Sequence, residues 1–175
     1  LANSTLSGNR TFNASAEGGG LYVNDGGVVL RNVTVAGNRA DLSHGGGIFA
    51  LKSPVTIDNS ILATNFSGQR THDASIGVGS TLTARHSLVS VNNGTNLAAN
   101  GLTPDANGNL VGSLIAPIDA RMGALANNGG LTPTHALSFA SPALNRGLNI
   151  LARDAFGNPL TTDQRGGPFP RINQG

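Results

Sequence analysis

A repeated segment that ends in asparagine constrains this chain more than any other feature of its sequence. The four copies are NSTLSGN (3–9), NVTVAGN (32–38), NSILATN (59–65) and HSLVSVN (86–92). Successive copies start 29, 27 and 27 residues apart, and two glycine triplets, at 18–20 and 45–47, keep the 27-residue interval. A fixed period of this length is typical of solenoids, in which each repeat stacks on the one before it.

The apolar pattern within each repeat indicates short β-strands joined at a bend. Apolar and polar residues alternate, and the parity of the alternation reverses at Asn32, Asn59 and His86. Such a reversal predicts two strands that meet at a corner, each with one face inward. A repeat of 27 residues leaves no room for crossover helices, so we expect coils of parallel strands stacked at about 4.8 Å. A β-sandwich is the alternative, but its strands would not share one fixed period.

Equivalent positions of successive coils should lie directly above one another. One inward column is expected from Leu6, Val35, Leu62 and Val89. A ladder of turn residues is expected from Asn9, Asn38, Asn65 and Asn92. Asparagine tolerates the left-handed backbone of a tight turn, and stacked amides can bond to one another. The glycine triplets would add backbone freedom and allow neighbouring coils to approach closely.

Composition narrows the class of protein further. Charged residues are only 11% and aromatic residues 4% of the chain, so the core must consist of Leu, Ile, Val and Ala. The absence of cysteine excludes disulfides and thiolate metal sites. We find no cluster of basic residues with interleaved aromatics, and we therefore expect no nucleic-acid partner. No apolar stretch is long enough to span a membrane.

The chain begins with Leu1, part-way into a repeat, and we expect it to be a fragment or processed product.

Chemically active side chains gather on one flank of the predicted stack. The period places six of them there: Glu17, Asp41, His44, Arg70, His72 and Asp73. Such a group can bind a metal or support acid–base chemistry on a glycan. No metal-ligand spacing recurs, however, and solvated side chains with mutual charge pairing are the alternative interpretation.

Two further sets of charged residues are predicted to be structural. Arg31, Asp58 and Arg85 are 27 residues apart and alternate in sign, which indicates an outward ladder of surface ion pairs. Three residues near the C-terminus are expected to hold that region through hydrogen bonds: His135, Asp163 and Arg165.

The motifs resemble those of known bacterial families. The turns LSGN, VAGN, LATN and VSVN and the strands GGGLY and GGGIF resemble right-handed parallel β-helix surface proteins, and are similar to the repeats of polymorphic outer-membrane proteins. The later stretches IDARMGALANNGGLTPTHAL, SPALNRG and TDQRGGPFPR resemble the choice-of-anchor Q domain. The resemblance implies a right-handed parallel β-helix that is secreted to the bacterial surface or an extracellular assembly.

These observations predict the following organisation. Residues 1–92 form parallel β-helix coils, and residues 93–175 form an irregular final coil and a C-terminal cap that covers the open end. Four apolar residues of the final coil are expected to point inward: Leu97, Leu102, Leu110 and Val111.

The function predicted from the sequence is that of a non-catalytic structural or adhesive module. Its expected partners are proteins or glycans at the cell surface, together with other subunits or further coils, and no cofactor or metal is expected. The alternative is a carbohydrate-active β-helix enzyme similar to polysaccharide lyases. In that alternative Glu17, Asp41 and Asp73 would hold calcium, and Lys52 or Arg70 would act as the base.

Overall fold

The structure is a computed structural model, which describes residues 1–13 and 16–171. This part of the chain contains sixteen strands, one 3₁₀-helix and no α-helix. The strands are β1 (Ala2–Ser7), β2 (Arg10–Thr11), β3 (Leu21–Asn24), β4 (Val28–Ala36), β5 (Arg39–Ala40), β6 (Ile48–Leu51), β7 (Pro54–Asp58), β8 (Ile61–Ala63), β9 (Phe66–Ser67), β10 (Arg70–Thr71), β11 (Ala74–Ile76), β12 (Thr81–Arg85), β13 (Leu88–Val89), β14 (Leu110–Val111), β15 (Met122–Ala126) and β16 (Thr134–Leu137); the 3₁₀-helix is Asn149–Leu151.

The coils stack in parallel register, and the fold is the all-β parallel β-helix that the repeat predicts. The first face pairs the start of β4 with β7, and β7 with β12. The second face pairs β1, the end of β4, β8, β13 and β14 in that order. The third face pairs β3, β6 and β11. A fourth, narrower sheet contains the two-residue strands β2, β5, β9 and β10. It lies between the second face and the loop that leads to the third face.

The inward column lies in the predicted register. Leu6 pairs with Val35, Val35 with Leu62, and Leu62 with Val89. Val111 extends the column by one more coil. All members of the column except Leu6, which is half-buried in the first coil, are inaccessible to solvent. Burying each of these side chains contributes about 1.5–3 kcal/mol to the free energy of folding.

The corners turn through residues in the left-handed backbone region. Asn3, Asn32, Asn59 and His86 have φ values of 46°, 54°, 48° and 49°, and they stand where the apolar parity reverses. At the next turn the left-handed residues are Gly8, Gly37 and Thr64, each directly before a ladder asparagine. The prediction that the ladder asparagines themselves adopt this conformation was therefore wrong.

Serine side chains form two further ladders, which were not predicted from the sequence. At the corner between the first and second faces, Ser60 Oγ accepts from Val33 N and Ser87 Oγ accepts from Ser60 N, both at 3.1 Å. At the corner before the first face, Ser80 Oγ accepts from Ser53 N at 2.9 Å. Side chains thereby pair backbone N–H groups that the bends remove from the sheets.

The glycine triplets are required by close backbone approach, as predicted. A Cβ on Gly46 would lie 2.2 Å from Phe66 O, and one on Gly47 would lie 2.4 Å from Asp73 O. Gly45, the first glycine of the same triplet, has a φ of 68°. Neighbouring backbones thus occupy the space that any side chain would need.

Residues 93–112 cover the C-terminal end of the stack. Asn96 pairs with both backbone groups of Leu82 on the edge strand β12, at 2.8 and 3.0 Å. Leu97 packs against the core, as expected, and Leu110 and Val111 are buried. Leu102 is 64% exposed, so its predicted inward position was wrong.

Residues 114–171, the tail, do not cover that end but lie along the outside of the second face. Ile118 and Ala120 pack on Leu88 and Leu110, which point outward from that face. The tail then forms the antiparallel pair β15–β16 and reaches the first coil, where His135 Nε2 bonds Ser7 Oγ at 2.8 Å. Over its described residues, 93–171, the expected cap is therefore divided into an end cover and a lateral strap; residues 172–175 of the predicted range lie outside the described part of the chain.

Candidate functional site

Asp41, from the predicted polar flank, is held by two arginines of neighbouring coils. Arg10 Nη2 lies 2.6 Å from Asp41 Oδ2, and Arg39 Nε lies 2.5 Å from Oδ1. These two guanidinium groups, Arg10 first, lower the pKa of Asp41 below its usual value. The carboxylate is thus occupied by structural ion pairs.

Asp73 belongs to the asparagine ladder. The amides of the ladder all point one way: N and Nδ2 of Asn9 donate to Asn38 Oδ1, and N and Nδ2 of Asn38 donate to Asn65 Oδ1. N and Nδ2 of Asn65 in turn donate to Asp73 Oδ1 at 3.3 and 3.0 Å. The other oxygen of Asp73 accepts from Val91 N at 2.9 Å.

Asn92 does not continue the ladder, although its sequence position predicts this. Its Nδ2 donates to Leu97 O, within the loop of its own coil. Asp73 occupies the fourth rung instead. Its carboxyl is inaccessible to solvent, and burial raises its pKa to about 7 against the opposing effect of its hydrogen bonds.

The two histidines of the flank lie on adjacent coils but do not form a metal site. His72 is buried, and burial, followed by the charge of His44, lowers its pKa. His44 and Arg70 are exposed and Glu17 is half-buried. Among the described residues there is no group of three or more His, Asp or Glu side chains arranged to hold a metal. A binding role for the flank stays a prediction.

The charge ladder forms with its acidic member buried. Arg85 donates to both oxygens of Asp58 at 2.7 and 2.8 Å, and Arg31 Nε lies 3.6 Å away on the other side. The Asp58 side chain is 1% exposed, so the predicted pairing is correct but the predicted surface character of Asp58 is not.

A concave site lies between the second face and the tail, and we call it the tail groove. Its volume is about 560 Å³. Asn32, Thr34 and Ile61 of the coils form its floor, and Asn128 and Asn145 of the tail line its walls. A second cavity of about 270 Å³ adjoins it along the same corner.

Two charged groups of the groove, Asp163 and Arg165, pair with each other. Arg165 Nη2 lies 2.7 Å from Asp163 Oδ2, and its guanidinium stacks over Phe169 at 3.9 Å. His135 bonds Gly123 O through Nδ1, in addition to its contact with Ser7. The structural roles predicted for His135, Asp163 and Arg165 are confirmed by these contacts.

The corner residues fasten the tail to the coils. Asn3 Nδ2 donates to Thr162 O at 2.9 Å, and His86 Nδ1 bonds Arg146 O at 2.9 Å. Asn59 makes two bonds to the backbone of Leu148. Asn32, the remaining corner residue, has no such contact, and its buried Oδ1 has no partner within the described residues.

Sequence reasoning missed the tail groove because the tail has no period. The parity reversals at Asn32 and Asn59 identified the corner column, but they do not reveal what packs against it. The outward apolar residues Ile61 and Leu88 were the available signal, since a sheet facing water does not normally expose such a pair.

Comparisons with known proteins identify no relative. No protein-family model matches the chain, and searches of curated proteins and of solved structures return no significant match. Within the described residues no helix is long and apolar enough to cross a membrane.

Proposed function

We propose that this chain is a non-catalytic structural module with an adhesive role in a bacterial cell-surface or extracellular assembly. Its partners in this proposal are proteins or glycans of that surface, and further coils or subunits at its ends. The motif resemblance to β-helix surface proteins and to the choice-of-anchor Q domain supports the location. The contacts of the polar flank support the non-catalytic role.

The observation that carries the proposal is the engagement of two flank carboxylates in the scaffold. Asp41 is clamped by two arginines, and Asp73 is buried as the last rung of the ladder. A calcium-dependent lyase needs carboxylates that are free to hold the metal beside its substrate. Here Asp73 is fully shielded, so a polysaccharide could not reach it.

The lateral tail also suits a load-bearing module. It contacts the first coil through Asn3, the third through Asn59 and the fourth through His86. A strap across the stack opposes separation of the coils, which otherwise contact only their neighbours.

Retention on bacterial envelopes tests the proposal. The labelled chain is incubated with washed envelopes, and the bound fraction is measured after further washing. In parallel the chain is incubated with polygalacturonate and calcium, and the absorbance of unsaturated products is followed. We expect saturable retention and no product.

Turnover of the polymer without retention would overturn the proposal and support the lyase alternative. Asp73→Ala is not a suitable catalytic control, because the substitution removes a buried structural group. Glu17→Gln is preferable, since Glu17 is half-buried on the flank and has no ladder contact among the described residues.

A further inference from the structure

The tail groove lies beside the one corner residue that the tail leaves unengaged. Asn3, Asn59 and His86 bind the tail backbone, whereas Asn32 Oδ1 is buried without a partner in the described part of the chain. A buried acceptor left unpaired costs about 1–3 kcal/mol. Asn32 also lines the groove, so the hydrogen-bonding capacity of its amide is unused among the described residues.

Two other polar side chains of the groove are also uncommitted. Thr34 lies on the coil beside Asn32, and Asn145 faces them from the tail. Within residues 1–13 and 16–171, neither side chain has a hydrogen-bond partner within the protein. Three groups that donate and accept hydrogen bonds therefore surround one cavity.

The uncommitted side chains of the groove are neutral, and they favour a neutral ligand. Asp163 and Arg165 neutralise each other through a two-pronged contact. Arg171 donates to Asn149 Oδ1 at 2.7 Å and to Leu160 O. Arg171 therefore keeps its positive charge, but two of its N–H groups are engaged by neutral oxygens, whereas the uncommitted groups are amides and a hydroxyl.

The shape and the floor of the groove favour a sugar. A volume of about 560 Å³ falls within the usual range for small-ligand sites. Ile61 and Ala143 supply an aliphatic surface beside the polar groups. A pyranose has the matching arrangement, because its hydroxyls both donate and accept while its C–H face is apolar.

We propose that the tail groove binds a neutral saccharide, with Asn32, Thr34 and Asn145 as its hydrogen-bonding residues. This inference rests on the proposed attachment function and names the chemistry of one partner. It places recognition at the junction of coils and tail and not on the polar flank.

Saturation-transfer NMR with maltose, cellobiose and lactose tests the inference. We expect at least one of these sugars to bind with a Kd of about 1 mM or tighter. Thr34→Val, which removes only the hydroxyl, should weaken binding about fivefold or more. Asn32→Gly should have at least the same effect, and glycine retains the left-handed backbone of that corner.

Thr56→Val is the matched control, because Thr56 points outward on the first face, away from the groove. The affinity of the Thr56→Val variant for the sugar should equal that of the unmodified chain. Equal affinities of Thr34→Val and Thr56→Val would overturn the inference, as would tighter binding of digalacturonate than of any neutral sugar.

The envelope assay separates this inference from the proposed function. Retention without binding of any of the three sugars overturns the saccharide site and leaves the attachment function standing. Sugar binding that depends on Thr34, without retention, overturns the attachment function and leaves the site standing.

Discussion

The coils and the tail are held together by contacts of different kinds. In the coils each interaction recurs at equivalent positions: the pairing of Val35 with Leu62 is repeated by Leu62 with Val89. In the tail each contact occurs once, such as that of His135 with Ser7. Periodic contacts support one another along the stack, so a defect in one rung affects its neighbours. A defect in the tail should remain local.

The largest expected effect is that of a side chain between two coils. Gly46→Ala would place a Cβ 2.2 Å from Phe66 O, which is backbone and cannot move without disturbing the register. We expect a loss of more than about 4 kcal/mol in unfolding free energy, or failure to fold, measured by urea denaturation and circular dichroism.

Gly26→Ala is the control for this prediction. The nearest atom to its Cβ would be Asn24 O at 3.9 Å, and the residue does not have a positive φ. We expect a change within about 1 kcal/mol. Equal urea midpoints for Gly46→Ala and Gly26→Ala would contradict the idea that the close approach of the coils requires the glycine triplet.

The coils could be predicted because stacking converts sequence period directly into spatial register. The column from Leu6 to Val89 and the close approach at Gly46 follow from that conversion. The left-handed turn residue was misplaced by one position, since both Gly37 and Asn38 can adopt that conformation and local sequence does not distinguish them.

The fourth ladder rung could not be predicted from the period. Asp73 and Asn92 compete for it, and the period favours Asn92. The structure uses Asp73 because both of its oxygens accept: Oδ1 accepts from Asn65 and Oδ2 accepts from Val91 N, where a primary amide would present N–H donors to one of these partners. The tail groove could not be predicted either, because it depends on contacts that do not repeat. One example is the contact of Asn59 with Leu148, which joins residues far apart in sequence.

A second prediction concerns pH and the last rung. The folded-state pKa of Asp73 is about 7, above its unfolded value of 3.8, so the folded chain binds an extra proton between these values. Its contribution to stability is therefore greatest at acid pH and falls as pH rises toward 7. Asp73→Asn removes this titration and leaves His44 and His72 in place.

The measurement is the difference in unfolding free energy between the unmodified chain and Asp73→Asn at pH 5 and pH 8. We expect this difference, taken as the unmodified chain minus Asp73→Asn, to fall by roughly 3 kcal/mol from pH 5 to pH 8. A difference that stays constant, or that grows with pH, would show that the carboxyl is ionised throughout.

The smallest expected effect is in the tail. Asn59→Gly removes both hydrogen bonds to Leu148 while glycine accepts the corner φ of 48°. We expect a loss of about 1 kcal/mol in global stability. Hydrogen–deuterium exchange should increase around residues 146–151, while exchange in the coils stays slow.

Thr83→Val, an outward substitution on the first face, serves as the matched control and should leave exchange in the tail unchanged. Increased exchange spread evenly over coils and tail in Asn59→Gly would contradict the separation between the two regions.

The direction of the asparagine ladder has an electrostatic consequence. Because each rung donates to the next, the amide dipoles add along the axis, and their positive end points at Asp73. The arrangement is comparable to an aspartate at the start of an α-helix, where a carboxylate faces aligned N–H groups. A 27-residue coil inserted between Asn38 and Asn65 would lengthen this dipole without changing its terminus, so the solenoid could vary in length while one acidic residue continues to end it.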